Sequence, residues 1–285
     1  MKRIVSCCVS VAVVLALLVA SVFAGDIAPV GAAIGTDKQG NSIHRVRANG
    51  IDIAYKLIGS GQPLVMLMGL GGTMERWPQE VVDLLSKQYQ LIILDNRGMG
   101  LTTVNDEAFS YKLFADDVVG LLDALGVAQA NILGYSLGST MTQELLYAYP
   151  QRVNKAIIYA TSVDGSNVAK VLSGMQITDP IILRYLEATA HWKTPLEKLP
   201  GITNPVLFLV GTADTVVGPE SSKILATTLP GAWLVQFKNA THGLMFEAPT
   251  AFATTVLAFL KIDATIPPQT ATTSARPIGH QEQPQ

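Results

Sequence analysis

A serine flanked by two glycines is the first feature of the sequence that could do chemistry. Gly134, Ser136 and Gly138 form a G-x-S-x-G pattern that follows an apolar run at 130–133 and precedes a helix-length segment. A strand, turn and helix in this order would expose the serine hydroxyl above a sheet, and the helix N-terminus would offer N–H groups to a developing oxyanion. The pattern predicts Ser136 as a nucleophile. An ordinary glycine-rich turn in which the serine caps the helix is the alternative.

A serine hydroxyl needs a neighbouring base to become a strong nucleophile, and the chain has four histidines. His242 follows an alternating, strand-like segment at 232–237 and stands before a glycine and a helix, so its ring could reach over the end of a sheet. His44 precedes the first predicted strand, His191 lies in an insertion and His280 lies near the C-terminus. We predict His242 as the base, against the alternative that it only caps or packs.

A carboxylate must orient that histidine, and two aspartates follow predicted strands. Asp214 comes shortly after a buried run at 206–210, and Asp164 follows the preceding run. We favour Asp214, because the order Ser136, Asp214, His242 is typical of one serine-hydrolase fold and differs from the orders of the others. Asp164 is the rival acid. Glu247 is too close to His242 in the sequence and is expected to start the last helix.

Short apolar runs alternate with helix-length amphipathic segments along most of the chain. Runs of near-continuous apolar character predict strands that are buried on both faces of a parallel sheet. The predicted strands are 51–58, 64–68, 91–94, 130–133, 156–160 and 206–210, and the predicted helices are 78–87, 111–125, 137–149, 219–229 and 249–260. This alternation predicts an α/β domain with right-handed crossovers. The segment 166–204 interrupts it and is predicted to be a lid insertion with helical stretches at 168–172 and 181–189.

Four further segments of residues 50–260 resemble motifs of the α/β-hydrolase superfamily. The segment 68–72 (MGLGG) is similar to its oxyanion loop, 95–100 (DNRGMG) to its D-x-R-G-x-G turn, 114–127 to the helix before the nucleophile, and 241–243 (THG) to its histidine loop. The chain looks most like the single-domain esterase, perhydrolase and enol-lactonase-like branch. The resemblance implies a mostly parallel central sheet of about eight strands, with helices on both faces.

The same resemblance implies the groups that would bind the oxyanion. They are the backbone N–H groups of Leu70 and Leu137. Met68 stands where the family usually has a histidine, which puts the rigidity of this loop in doubt more than the chemistry. Asp95 and Arg97 are expected to be scaffold residues.

The expected function is hydrolysis of carboxylic esters of short to medium acyl chain through an acyl-enzyme on Ser136, without a metal or organic cofactor. The insertion is short, so the pocket should be shallow to moderate and lined by apolar side chains. The candidate substrate-binding residues are Trp77, Tyr135, Met175 and Tyr185, and further candidates in the insertion are Ile177, Ile181, Leu183, Leu186 and Trp192. For each residue of the insertion, packing of the lid onto the body is the alternative.

Two other functions remain open in the same fold. In the first, peroxide replaces water at the acyl-enzyme, which gives a perhydrolase or a cofactor-free haloperoxidase with the same triad. In the second, the protein is a catalytically silent binding protein. The only expected partner is a small-molecule ester, and the oligomeric state is not predicted.

The composition limits the class of protein. The 285 residues are 49% apolar and 15% charged, which excludes general disorder, and a net charge of −2 gives no basic surface for nucleic acid. Residues 1–24 are typical of an export signal, because Lys2 and Arg3 precede an uncharged apolar stretch that ends in small side chains. We expect cleavage and export to the periplasm or the exterior. A permanent N-terminal membrane anchor is the alternative.

The chain is expected to be divided into a signal peptide at 1–24, a loose arm at 25–43, one α/β-hydrolase domain at 44–261 and a disordered tail at 262–285. The tail is rich in Pro, Thr and Gln and lacks apolar periodicity. Cys7 and Cys8, the only cysteines, lie in the signal segment. A mature chain that begins near Gly25 would therefore contain no thiol and no disulfide.

Overall fold

The computed structural model of the protein describes residues 25–174 and 176–262. Within these residues the strands are β1 (Ala32–Thr36), β2 (Ser42–Ala48), β3 (Ile51–Ile58), β4 (Gln62–Leu67), β5 (Tyr89–Leu94), β6 (Ala130–Tyr135), β7 (Val153–Tyr159), β8 (Val206–Gly211) and β9 (Trp233–Phe237). The α-helices are α1 (Gln79–Ser86), α2 (Tyr111–Ala124), α3 (Leu137–Ala148), α4 (Gly165–Ser173), α5 (Pro180–His191), α6 (Pro219–Thr228), α7 (Leu244–Glu247) and α8 (Pro249–Lys261). The predicted signal peptide, the predicted tail beyond residue 262 and Met175 lie outside the described residues.

The strands form one sheet in the order β1-β2-β3-β5-β4-β6-β7-β8-β9. Strands β4 to β9 pair in parallel, whereas β1, β2 and β3 are antiparallel to their neighbours. Every residue of β5 and β8 is buried, which is why these strands have continuous apolar runs in the sequence. The predicted fold class, an α/β fold with a mostly parallel sheet, is confirmed. The run at 51–58 also forms a strand, but that strand is antiparallel to both of its neighbours.

Alternate residues of the central strands enter two separate cores, one on each face of the sheet. In β4, Val65 and Leu67 belong to one core, and Leu64 and Met66 belong to the other. This period of two follows from the pleat of a strand. Buried side chains of α2, α3 and α6 complete the first core, and buried side chains of α1 and α8 complete the second. The carboxyl ends of the parallel strands are thus held between two packed layers.

The N-terminal segment differs from its prediction. Residues 25–43 are predicted to be a loose arm, but they contain β1 and the start of β2, so the sheet has nine strands instead of about eight. All five residues of β1 are exposed, so the strand has no apolar alternation that could reveal it in the sequence. The turn after β1 is also tied to β3, because Asp37 accepts a hydrogen bond of 2.8 Å from the buried Lys56. Main-chain pairing and this ion pair hold the segment on the sheet.

The predicted lid insertion at 166–204 contains two helices, α4 and α5, which pack against each other. Asp164 caps α4 through the Ser166 N–H, and Asp179 caps α5 through the N–H groups of Ile181 and Ile182. Gly165 lies so close to α5 that a Cβ atom there would overlap the carbonyl oxygen of Thr189. No helix in residues 25–174 and 176–262 has both the length and the apolar character needed to cross a bilayer.

Candidate active site

Ser136 lies in a sharp turn between the end of β6 and the start of α3. Its backbone has φ +53° and ψ −115°, a conformation that is costly for a residue with a side chain. The flanking glycines make the turn possible: a Cβ at Gly134 would overlap the carbonyl oxygen of Gly138, and a Cβ at Gly138 would overlap the carbonyl oxygen of Leu67. The sequence pattern thus folds into the strained strand-to-helix turn that presents a serine hydroxyl above a sheet.

The structure brings the three predicted catalytic residues into hydrogen-bonding contact. The Nε2 atom of His242 lies 2.9 Å from Ser136 Oγ, and its Nδ1 atom lies 2.8 Å from Asp214 Oδ2. Because an ionised carboxylate can only accept, Nδ1 carries the proton and Nε2 is left to accept from the serine hydroxyl. The arrangement has the order and the tautomer that proton transfer from Ser136 to His242 requires.

The Asp214 carboxylate is fixed and kept ionised by its surroundings. Its side chain is fully buried, and its second oxygen, Oδ1, accepts the N–H groups of Val216 at 2.9 Å and Val217 at 3.1 Å. Burial by itself would raise the pKa of Asp214, but the hydrogen bond and charge of His242 and these two N–H groups outweigh it, so that the pKa lies below its ordinary value. The carboxylate therefore stays charged at neutral pH, beside a histidine ring that is itself 17% exposed.

The rival acid Asp164 does not contact the histidine. Its Oδ1 atom accepts hydrogen bonds from the N–H and the hydroxyl of Ser166, and its Oδ2 atom lies 3.5 Å from Lys193 Nζ. These contacts assign Asp164 to the start of the lid helix α4.

The loop that carries His242 is held by two side chains. The hydroxyl of Tyr159 donates to the His242 carbonyl oxygen at 2.7 Å, and the Glu247 carboxylate accepts from both the N–H and the hydroxyl of Thr241. Glu247 was expected to start the last helix, but it ends the short helix α7 and braces the histidine loop. The centroid of the Tyr135 ring lies 5.2 Å from that of the imidazole, so this predicted substrate-binding residue lies beside His242.

The two predicted oxyanion donors flank Ser136. Leu137 is the first residue of α3, so its N–H group has no acceptor within the helix. Leu70 follows Gly69, which passes so close to the nucleophile that a Cβ there would lie 3.2 Å from Ser136 Cβ. Leu70, Leu137 and Ser136 line one cavity. An acyl oxygen at Ser136 would thus have both N–H groups nearby.

Asn96 and Asp95 brace the oxyanion loop at both ends. Asp95 is predicted to be a scaffold residue, and the role of Asn96 is not predicted from the sequence. Asn96 Nδ2 donates to the Met68 carbonyl oxygen at 2.9 Å, and Asp95 Oδ1 accepts from the Met74 N–H at 2.6 Å. Met68 itself is 1% exposed and packs in the second core. Packing and these hydrogen bonds therefore hold the loop, although Met68 replaces the usual histidine of the family.

Arg97, predicted to be a scaffold residue, is buried and forms a two-pronged ion pair with Asp117 of α2. Its NH1 group also donates to Asn105 Oδ1 at 2.6 Å. A paired buried guanidinium with its donors in use is poorly suited to bind a substrate, and here it anchors the turn that contains Asn96.

The cavity at Ser136 is narrow, with a volume of about 30 Å³, and we call it the active-site slot. Besides Ser136, Leu70 and Leu137, it is lined by Tyr111, Thr140, Ser162, Gly165, Val168, Leu172, Thr189 and Val217. Side chains of the lid helix α4 and the start of α2 therefore close it. None of the slot-lining residues of α2, α4 and α5 was predicted, because only the packing of the lid decides which of their residues face the serine.

Two predicted substrate-binding residues lie in the cores instead of the slot. Tyr185 is 1% exposed, and its hydroxyl donates to the Arg97 carbonyl oxygen at 2.8 Å. Trp77 is 4% exposed and packs in the second core, on the opposite face of the sheet. Neither lines the active-site slot. Both are large and apolar, and residue type alone does not separate a core side chain from one that lines a cavity.

Comparisons with known proteins agree with this fold. A family model described as the alpha/beta hydrolase fold matches residues 62–187, and a second, described as TAP-like protein, matches residues 184–273. The chain belongs to the α/β-hydrolase superfamily. It is a hydrolase, and it is similar to proteins named as a bromoperoxidase and a carboxylesterase.

Three relatives show how far this similarity extends. A Mycobacterium tuberculosis protein named non-heme bromoperoxidase BpoC is 29% identical over 73% of this chain and 97% of its own length. A Bacillus subtilis protein named as an uncharacterized carboxylesterase is 24% identical over 72% of this chain and 81% of its own length. The crystal structure of the enol-lactonase from Burkholderia xenovorans has a TM-score of 0.66 and 23% identity, over 76% of this chain and all of that one. The last likeness shows the shared fold.

The bracing of the oxyanion loop in this hydrolase leads to a first prediction. We expect Asn96→Ala to lower kcat about 10- to 100-fold and to change KM much less, because a loop displaced by a fraction of an ångström binds the transition-state oxyanion poorly. Steady-state kinetics on a chromogenic ester give both constants.

Asn131→Ala is the matched control for this prediction. Asn131 is equally buried, and its Nδ2 donates to the Pro63 carbonyl oxygen at the other end of β4, away from the site. Asn96→Ala loses one buried hydrogen bond and Asn131→Ala loses two, since Asn131 Oδ1 also accepts from Asn154 Nδ2 at 3.0 Å, so thermal stability is expected to fall at least as far in the control as in Asn96→Ala. An equal fall of kcat in both variants would show that the effect is not specific to the oxyanion loop.

Proposed function

We propose that this hydrolase is an exported serine esterase that cleaves carboxylic esters of short to medium acyl chain through an acyl-enzyme on Ser136. The observation that carries the proposal is the continuous hydrogen-bonded chain from Ser136 Oγ through His242 to Asp214. This chain of hydrogen bonds lies beside two N–H groups that can bind an oxyanion, and a slot opens on its serine.

In the first half of the reaction, Ser136 Oγ attacks the ester carbonyl carbon while His242 Nε2 takes the hydroxyl proton. The negative charge on the carbonyl oxygen is received by the N–H groups of Leu70 and Leu137, each worth about 10²- to 10³-fold in rate. The imidazolium is stabilised by the ionised Asp214. His242 then gives its proton to the leaving alcohol, and the acyl group remains on Ser136.

The second half of the reaction repeats these steps with water as the nucleophile. His242 takes a proton from water as it attacks the acyl-enzyme, and the same two N–H groups receive the second oxyanion. Collapse of this intermediate releases the acid and returns the proton to Ser136. The cycle needs only groups of this chain, the ester and water.

Two features support the proposed range of substrates. The active-site slot is narrow, so an acyl group of few carbons fits with the least displacement of α4. Its walls carry the apolar side chains of Val168, Leu172 and Val217 and the hydroxyls of Thr140 and Ser162. Among the described residues, no charged side chain lines it. A neutral ester therefore suits it better than a charged substrate.

The export part of the proposal is supported by the first 24 residues, where Lys2 and Arg3 precede an uncharged apolar stretch. The absence of cysteine from residues 25–285 is compatible with an oxidising compartment. Mass spectrometry of the N-terminus of the chain purified from cells tests it: a start near Gly25 supports cleavage, and an intact segment supports the membrane-anchor alternative.

A series of chromogenic esters from acetyl to decanoyl tests the activity. We expect Ser136-dependent hydrolysis with the highest kcat/KM among the shorter acyl chains and a fall towards decanoyl, because the slot that contains Ser136 is narrow. Ser136→Ala serves as the blank. Hydrolysis by the wild type that does not exceed this blank on any ester would contradict the proposal.

The relative named non-heme bromoperoxidase favours a second candidate function, in which hydrogen peroxide replaces water. Peroxide would attack the acyl-enzyme, release a peracid and return the proton through His242, and the peracid would then oxidise a halide. Comparing ester hydrolysis with peroxide- and acetate-dependent bromination of a dye separates the two. If peroxide at ordinary concentrations attacks the acyl-enzyme faster than water does, the second function is favoured.

A further inference from the structure

We propose that Tyr111 sets the upper limit of acyl-chain length by closing the inner end of the active-site slot. The inference rests on the proposed ester hydrolysis and adds the residue that decides which esters are accepted. Tyr111 is the first residue of α2 and lies opposite the lid helix α5. Nothing in its sequence context, an aromatic residue after the Ser110 helix cap, points to this role.

Tyr111 separates two cavities of very different size. On one side is the active-site slot of about 30 Å³, which contains Ser136. On the other side is a cavity of about 540 Å³ between α2, α3 and α5, which we call the outer cavity. Its walls include Phe109, Ala188 and Trp192, and Tyr111 lines both cavities. Tyr111 is common to both linings, which places it at the boundary between the two cavities, and we call it the partition.

The partition is held in place on both sides. The hydroxyl of Thr189 donates its proton to the Tyr185 carbonyl oxygen at 2.7 Å. The Tyr111 hydroxyl lies 3.0 Å from Thr189 Oγ1 and therefore donates to Thr189 Oγ1. The Tyr111 ring also packs 5.0 Å from the Trp192 ring and edge-on to Phe114 at 5.7 Å. Tyr111 is 3% exposed, and burial raises its pKa to about 12, so the hydroxyl remains a neutral donor. A side chain held in this way does not swing aside at little cost.

The outer cavity would accept a longer chain if the partition were absent. Phe109, Ala188 and Trp192 give it apolar surface beside Tyr111, and the carboxylates of Asp106, Glu144 and Glu187 also line it. Its cationic neighbours are already engaged: Arg184 lies 3.8 Å above the Phe109 ring and donates to the carbonyl oxygens of Asn105 and Glu107, and Lys112 contacts Asp116. The cavity therefore has room for methylene groups without disrupting those contacts.

The test is the acyl-chain profile of variants at position 111. We expect Tyr111→Ala to raise the ratio of kcat/KM for decanoyl over butyryl esters at least about tenfold, since each methylene newly buried is worth about threefold to fourfold. Tyr111→Phe keeps the ring and should keep the profile of the wild type. Because removal of a buried ring can prevent folding, Tyr111→Leu is measured in parallel, and it should shift the profile in the same direction.

Refilling the outer cavity provides the decisive comparison. Ala188→Trp in the Tyr111→Ala background should restore the preference for short chains, whereas Ala188→Trp alone should leave the wild-type profile unchanged. An unchanged profile in a folded Tyr111→Ala or Tyr111→Leu variant overturns the proposal, as does a gain along a series of alcohol lengths with none along the acyl series. If the wild type shows no Ser136-dependent hydrolysis of the acetyl ester, it is the proposed function that fails.

Discussion

Ser136→Ala is expected to lower kcat for ester hydrolysis by five to six orders of magnitude, roughly the loss seen when a triad serine is removed elsewhere. Without Oγ no acyl-enzyme forms, and His242 can only activate water directly. The rate that remains would come from the N–H groups of Leu70 and Leu137 and from binding in the slot. KM should change little, because alanine leaves the walls of the slot intact. Burst and steady-state kinetics on an acetyl ester measure the effect.

Ser222→Ala is the matched control for the nucleophile. Ser222 is a fully buried serine of α6 whose hydroxyl has no hydrogen-bond partner in the described part of the chain. Its removal leaves no buried group unpaired, so both kcat and thermal stability should stay near the wild-type values. A Ser136→Ala protein that keeps turnover within tenfold of the control would rule out covalent catalysis at this serine.

Asp214→Asn should lower kcat about 10⁴-fold, because it reverses the tautomer of His242. Oδ1 of Asp214 accepts two backbone N–H groups, from Val216 and Val217. An asparagine must keep its carbonyl oxygen there, which turns its NH₂ group towards His242 Nδ1. The imidazole then carries its proton on Nε2 and can no longer accept the proton of Ser136. The fold should change little, since the two residues have the same shape.

Asp164→Asn is the control that separates the two candidate acids. Asp164 also follows a strand of the sheet, but it contacts Ser166 and Lys193 instead of the histidine. Its replacement should keep kcat within about twofold and cost at most about 1 kcal/mol through the weakened cap of α4. If Asp164→Asn lost activity and Asp214→Asn retained it, the orienting acid would be wrongly assigned. Parallel measurements of kcat and thermal stability decide between them.

The sequence predicts most of the fold because this sheet is buried on both faces. The runs at 64–68, 91–94, 130–133, 156–160 and 206–210 become β4 to β8 with small changes at their ends. Strand β1 is not predicted, because all five of its residues are exposed and carry no apolar pattern. Hydrophobic patterning therefore reveals the buried strands and is silent about an exposed edge strand that is held by main-chain pairing.

The structure places Ser136, His242 and Asp214 in the contact that the sequence predicts, whereas the walls of the slot could not be predicted. Ser136, Asp214 and His242 each follow a strand, and the carboxyl ends of neighbouring parallel strands meet at one edge. The slot depends instead on how the lid packs. Tyr111 lines it from the start of α2, whereas Tyr185 of the lid helix α5 lies in the core. The local sequence pattern does not show which tyrosine lines the slot, because this depends on contacts between segments that are distant in the sequence.

The support of the oxyanion loop shows a related limit. Met68 stands where the family usually has a histidine, so the sequence predicts a loop without its usual support. Nothing in the sequence indicates that Asn96, which follows the neighbouring strand β5, donates to the Met68 carbonyl oxygen. Long-range hydrogen bonds of this kind, over 28 positions, are visible only in the folded chain.

Labelling with a fluorophosphonate, followed by intact-protein mass spectrometry, is the most direct test of covalent catalysis at Ser136. The probe mimics the tetrahedral intermediate and reacts with a serine only where a base and an oxyanion site activate it. The wild type is expected to gain the mass of one phosphonyl group, located at Ser136 by peptide mapping, and Ser136→Ala is expected to gain none. An unlabelled wild type, or equal labelling of the two proteins, would contradict the assignment.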